Sequence, residues 1–148
     1  SETLTTALDY IDQRDFKTAS EKVAPLIGDG SSAGARASAR FLQAGAALEE
    51  GNTAKATALF KEIAADPTTP PALRDLAKVR DVSTNFDTMK PADVIAVLGP
   101  LAKPGNAWFG SAGELVAMAH LENGNRAEAG KLFAAIAKDE DQPETLRS

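Results

Sequence analysis

The chain contains a near-copy of one of its own segments. The pattern Gly-Asn-x-Ala-x-Ala-x-x-Leu-Phe-x-x-Ile-Ala starts at Gly51 and again at Gly124, an offset of 124 − 51 = 73, and the same offset relates Asp66 to Asp139, Pro70 to Pro143, Leu73 to Leu146 and Arg74 to Arg147. Units that recur in this way bury their apolar faces against their neighbours, so the duplication predicts a stacked repeat rather than an irregular globule. Within each copy the apolar positions, Ala56, Leu59, Phe60 and Ile63 in the first, follow a helical period. Gly-Asn before them ends one helix and caps the next.

Composition narrows the class to all-α. Alanine carries much of the 43% hydrophobic content and aromatics make up 5%, which favours closely packed helices over strands. A domain of 148 residues buries roughly 70% of the surface of its extended chain, enough for one unit spanning 1–148. The formal net charge of −5 argues against a nucleic-acid partner and against anionic lipid. With no cysteine there are no disulfides or thiolate metal sites, a state compatible with cytoplasm or periplasm. No apolar run approaches the ~20 residues of a membrane span.

Along the chain the pattern predicts four helix pairs. Ser1 caps a first helix from Glu2 to about Gln13, with Leu4, Leu8 and Ile11 as its stripe, and Asp15 caps a second through Phe16, Ala19, Val23 and Leu26. Ser32 caps a third, ended by Gly51, and Asn52 a fourth, ended by Asp66-Pro67-Thr68-Thr69-Pro70. A fifth helix starts near Pro71 and reaches Asn85, with Phe86 and Met89 packed at its turn; a sixth runs from Pro91 to Leu101, its last turn distorted by Gly99-Pro100. Asn106 or Ser111 caps the seventh, which holds Leu115, Val116, Met118, Ala119 and Leu121 before Gly124, and Asn125 opens the eighth, ending near Lys138. Glu144 to Ser148 copies the start of the fifth helix and reads as a truncated final helix. Ala24-Pro25-Leu26 resembles Gly99-Pro100-Leu101 at an offset of 75, so two kinds of helix pair alternate.

The placement of Gly51, Ala56 and Phe60, and of Gly124, Ala129 and Phe133, resembles a tetratricopeptide helix–turn–helix, with His120 and Ala47 where that consensus has tyrosine. Two further stretches, Ala64 to Ala77 and Trp108-Phe109-Gly110-Ser111-Ala112-Gly113-Glu114-Leu115, are similar to the tetratricopeptide-like domain of the YfgM-like ancillary subunits of the bacterial SecYEG translocon, in particular alphaproteobacterial ones. The resemblance implies an α-α superhelix in the periplasm, tethered to the inner membrane by an upstream transmembrane helix and associated with the translocon and periplasmic chaperones. It implies no catalytic residue and no cofactor.

The candidate chemistry is sparse. His120 is the sole histidine, and a general base would need a nucleophile and an orienting carboxylate beside it; it reads as a partly buried packing residue. The Gly28–Gly34 stretch precedes a helix N-terminus but lacks a phosphate-loop lysine, and reads as an inter-repeat loop. Asp139, Glu140 and Asp141 lack the ligand alternation of a calcium loop. The candidate protein-binding residues are Arg36, Arg40, Arg74 and Arg80, placed on first helices where they could clamp a partner carboxylate, together with the adjacent aromatics Trp108 and Phe109. For those arginines the competing reading is solvation with i,i+4 pairing, which predicts a cost well under about 1 kcal/mol for Arg40→Ala. Neighbouring helical residues point about 100° apart, so Trp108 and Phe109 are not expected to enter the same core and one could face a partner, although packing against the sixth helix is the favoured reading. Phe60 and Phe133 are assigned to the core.

The functional expectation is a non-catalytic protein–protein interaction scaffold with no metal, no cofactor and a protein partner. The alternatives are a soluble cytoplasmic adaptor, or an enzyme or metal-binding helical domain with titratable groups gathered near His120.

Overall fold

The computed structural model describes residues 1–28 and 30–140, and among them the regular structure is entirely helical. Eight α-helices follow one another: α1 Glu2–Asp12, α2 Phe16–Val23, α3 Ala33–Glu49, α4 Thr53–Ala65, α5 Pro71–Asn85, α6 Pro91–Leu98, α7 Phe109–Glu122 and α8 Arg126–Glu140. Short 3₁₀ turns extend α2 (Ala24–Ile27), α5 (Phe86–Thr88) and α6 (Gly99–Leu101). The first and third fall on the two proline-containing stretches related by the offset of 75, because proline removes an amide and crowds the preceding turn. Glu144 to Ser148, the expected truncated helix, lies outside the described residues.

Local chemistry sets the helix starts. Ser1, Asp15, Ser32 and Asn52 each accept an amide of the following first turn through the side chain, as expected of N-caps. Asn125 does the same for α8, accepting from Glu128 N at 3.3 Å. The hinges of α3–α4 and α7–α8 share one geometry: Gly51 and Gly124 stand at φ +77° and +80°, and the next residue donates its amide to a carbonyl five residues back, Asn52 to Ala47 and Asn125 to His120, both at 2.8 Å. The α1–α2 hinge has the same geometry without the glycine. Arg14 takes φ +61° and Asp15 N donates to Tyr10 O at 2.8 Å.

The chain divides into two compact units, Ser1–Ala77 and the residues from Lys78 onward, with the boundary inside α5. In the first unit α1 packs on α2, α2 on α3 and α3 on α4. One cluster of Ala7, Val23 and Ala39 is flanked by Leu4, Leu26, Ile27 and Leu42. A second joins Ala44 and Ala47 of α3 to Ala56, Leu59, Phe60 and Ile63 of α4 and Ala77 of α5. In the second unit α6 packs on α7 and α7 on α8, around a larger cluster that includes Val79, Val82, Phe86, Val94, Leu98 and Val116.

Several apolar assignments shift. In α1 the inward stripe is Leu4, Ala7 and Ile11; Ala7 is fully buried and Leu8 is 54% exposed, because small alanines let the helices approach closely and leave the leucine outside. Met118 and Leu121 of α7 are exposed. Phe133, expected in the core, is 38% exposed whereas Phe60 is 3% exposed. Phe60 packs on the ring of Phe41, centroids 6.3 Å apart; the residue 73 positions after Phe41 is Glu114, which offers Phe133 no ring.

Candidate functional site

The sequence-selected arginines have distinct environments. Arg36 and Arg40 lie one turn apart on α3, and both turn inward to the α4–α5 connection. Arg40 Nη1 donates to Asp66 Oδ2 at 3.1 Å, and its Nε lies 3.7 Å from Glu62 Oε2. Arg36 Nη2 donates to Thr68 Oγ1 at 2.7 Å, its Nη1 to the Ser31 carbonyl, and its Nε lies 3.9 Å from Asp66. Asp66 also accepts from the Thr68 hydroxyl (2.6 Å) and amide (2.9 Å), the Asx turn expected of an aspartate opening a proline-containing loop. These Thr68 bonds, followed by the Arg40 hydrogen bond and the Arg36 charge, lower the Asp66 carboxyl from its ordinary 3.8 to about 2 against an opposing desolvation.

The geometry is an internal clasp between the start of α3 and the loop after α4. The sequence reading missed Asp66 and Thr68, having read the segment only as a helix stop. The signal was present: no acidic residue stands three or four positions from Arg36 or Arg40, so the i,i+4 pairing offered as their alternative role has no partner. Arg74 is half-buried with its Nε enclosed and lacking a hydrogen-bond partner. Arg80 is exposed on the same helix.

In the second unit the positions of Arg36 and Arg40 are occupied by Phe109 and Gly113. Phe109 is 2% exposed, and a Cβ on Gly113 would stand 3.0 Å from Ile136 Cδ1, so an apolar close approach of α7 and α8 replaces the clasp. Trp108 is half-buried against the same unit's core cluster. Both aromatics thus turn inward. The 100° argument does not apply because Trp108 is the N-cap residue, outside the helix, with its amide donated to Asn106 Oδ1 at 2.8 Å.

His120 opens onto a cleft of about 330 Å³ walled by the end of α6 with its 3₁₀ turn, by α7 and by α8. Ile95, Ala102, Val116, Leu132 and Ala135 give it apolar walls, and Lys103, Lys131, His120 and Glu128 its polar groups. Lys131 Nζ lies 3.4 Å from Glu128 Oε1 on the exposed side of α8. Among the described residues no serine, threonine or tyrosine lines this cleft.

In the loop before α3, Asp29 lies outside the described residues, and Ser31 and Ser32 bond to α3. Ser32 Oγ accepts the Ala35 amide at 3.1 Å and the Ser31 carbonyl accepts from Arg36. Asp141, the last of the acidic run, lies outside the described residues. Among the described residues no group of three or more His, Asp or Glu side chains is arranged to hold a metal ion, and no helix is long and apolar enough to cross a membrane. No family model, curated protein or solved structure matches the chain.

Proposed function

We propose that this chain is a non-catalytic protein-binding scaffold of tetratricopeptide-like architecture, its four helix pairs forming an α-α superhelix, and that it is the periplasmic part of an inner-membrane adaptor associated with the Sec translocon and periplasmic chaperones. The observation that carries the scaffold reading is the recurrence of one hinge. α3–α4 and α7–α8 turn through the same glycine conformation and the same 2.8 Å amide bond, and α1–α2 repeats that bond with Arg14 in the glycine's place, 51 − 14 = 37 residues earlier. A 37-residue helical hairpin is close to the 34-residue tetratricopeptide unit.

Arrays of this kind act by presenting surface between helix pairs to an extended or helical segment of a partner. The location and the translocon partner rest on the sequence resemblance. Photo-crosslinking of the full-length protein in its native membrane, followed by identification of the attached chains, is expected to capture a translocon or chaperone component. Capture of cytoplasmic proteins alone, or a natural gene without an apolar segment of about 20 residues upstream of Ser1, counts against the membrane adaptor.

A further inference from the structure

The two copies share the hinge geometry and much of the sequence block that follows it, so a function belonging to one of them must lie where they differ. The cleft beside His120 is such a place. At the offset of 73, Val116, His120, Lys131 and Ala135 correspond to Gln43, Ala47, Ala58 and Glu62, and at the offset of 75, Ile95, Ala102 and Lys103 correspond to Ser20, Ile27 and Gly28. In the first unit Gln43 Nε2 reaches across to the Ser20 carbonyl at 3.1 Å, and the larger Ile27 packs against the α1–α3 cluster. The second unit has Val116 facing that position without an amide to bridge, and Ala102 in place of the isoleucine. The result is the 330 Å³ space, with an apolar floor where the first unit has a polar tie.

The rim changes as well. Lys103 and Lys131 replace a glycine and an alanine, His120 replaces an alanine, and Glu128, which stands where the first copy has Lys55, pairs with Lys131 one turn along the exposed side of α8. Exposed pairs of this kind are worth about 0–1 kcal/mol and yield readily to a competing carboxylate. With histidine counted as neutral, Lys103, Lys131 and Glu128 give the opening a formal charge of +1 over aliphatic walls, in a chain of net charge −5. The volume is at the lower end of ligand-sized cavities, about 300–1,000 Å³, and accommodates a single anchoring side chain with the backbone beside it.

We propose that this α6–α7–α8 cleft seats an acidic segment of a partner protein carrying one aliphatic anchor, the anchor lying on Val116 and Leu132 and the flanking carboxylates meeting Lys103 and Lys131. The proposal rests on the scaffold reading and specifies its partner chemistry. Aliphatic burial supplies affinity, and the lysines reject basic segments by like-charge repulsion.

Titration of the ¹⁵N-labelled chain with an acetylated, amidated octapeptide of aspartates and glutamates around a single leucine tests it. Amide shifts at Ile95, Val116, His120 and Leu132 are expected, with affinity falling about tenfold or more for the Leu-to-Asn peptide, for Lys103→Glu with Lys131→Glu, and for Ala102→Ile, which restores the first unit's residue. The exposed lysine pair can be exchanged without touching the core, so a folding defect in Ala102→Ile does not blunt the test. Shifts confined to other surfaces, or unchanged affinity in the lysine variant, overturn the cleft while leaving the scaffold reading to the crosslinking result. Shifts at the cleft with octanoate but not with the peptide overturn the partner chemistry. Silence with both probes overturns the proposal.

Discussion

Arg40 illustrates how a charged residue on a helix becomes part of the fold. Its side chain is 16% exposed and is held by Asp66 and Glu62, so truncation removes a charge-assisted hydrogen bond from a partly desolvated aspartate. Arg40→Ala is expected to lower unfolding free energy by about 1–3 kcal/mol, above the sequence expectation, while Arg80→Ala on an exposed face stays within about 0.5 kcal/mol. Urea melts of the two variants decide this. Asp66 adds a pH signature. Its folded value lies below its ordinary one, so its stabilising contribution is complete above 3.8 and is lost as pH falls through about 2. The gap in urea midpoint between the native chain and Asp66→Asn should therefore be widest near neutral pH and close across that acid window; a gap independent of pH would refute the clasp. The duplicated phenylalanines separate in the same way. Phe60→Ala is expected to cost about 3–5 kcal/mol through transfer and cavity terms, and Phe133→Ala under about 2 kcal/mol because its ring is already partly in water.

At the scale of the helix, the hinge is the unit that the chain repeats. A residue at φ near +77° is strained unless it lacks a Cβ, so Gly51→Ala or Gly124→Ala should each cost about 1 kcal/mol. Gly130 lies inside α8 with open space around it, and Gly130→Ala should instead stabilise by about 0.4–1 kcal/mol, read as a rise in melting temperature. Gly113→Ala gains the same helix propensity but drives a methyl against Ile136, so it should fall below Gly130→Ala by more than 0.5 kcal/mol in any side-by-side melt, on the order expected for overpacking. These helix boundaries were largely legible in the sequence. Caps, glycines and prolines act within a few residues, so Ser1, Asp15, Ser32, Asn52 and Pro71 located their helices without reference to anything distant. Arg14 was not legible as a hinge, because nothing in an arginine announces a left-handed conformation; the 37-residue spacing to Gly51 was the remaining clue.

In the whole molecule, the buried cluster around Phe60 and the cluster around Leu98 have no residue in common. Phe60→Ala and Leu98→Ala should then combine additively to within about 0.5 kcal/mol, and a coupling energy well above that in a double-mutant cycle would show that the two cores act as one. The sequence by itself determined the all-helical class, the eight helices found among the described residues and the duplication, because helical period, capping and self-similarity are properties of neighbouring residues and of the chain compared with itself. The tertiary structure decided which copy of a shared residue is buried, that Arg36 and Arg40 spend their charges on an aspartate 26 or more residues away, and that Gln43 bridges to the Ser20 carbonyl in one copy while Val116 lines a lysine-rimmed cleft in the other. Those outcomes depend on which side chains meet across helices, and contacts between residues far apart in sequence leave no period or spacing for the chain to display.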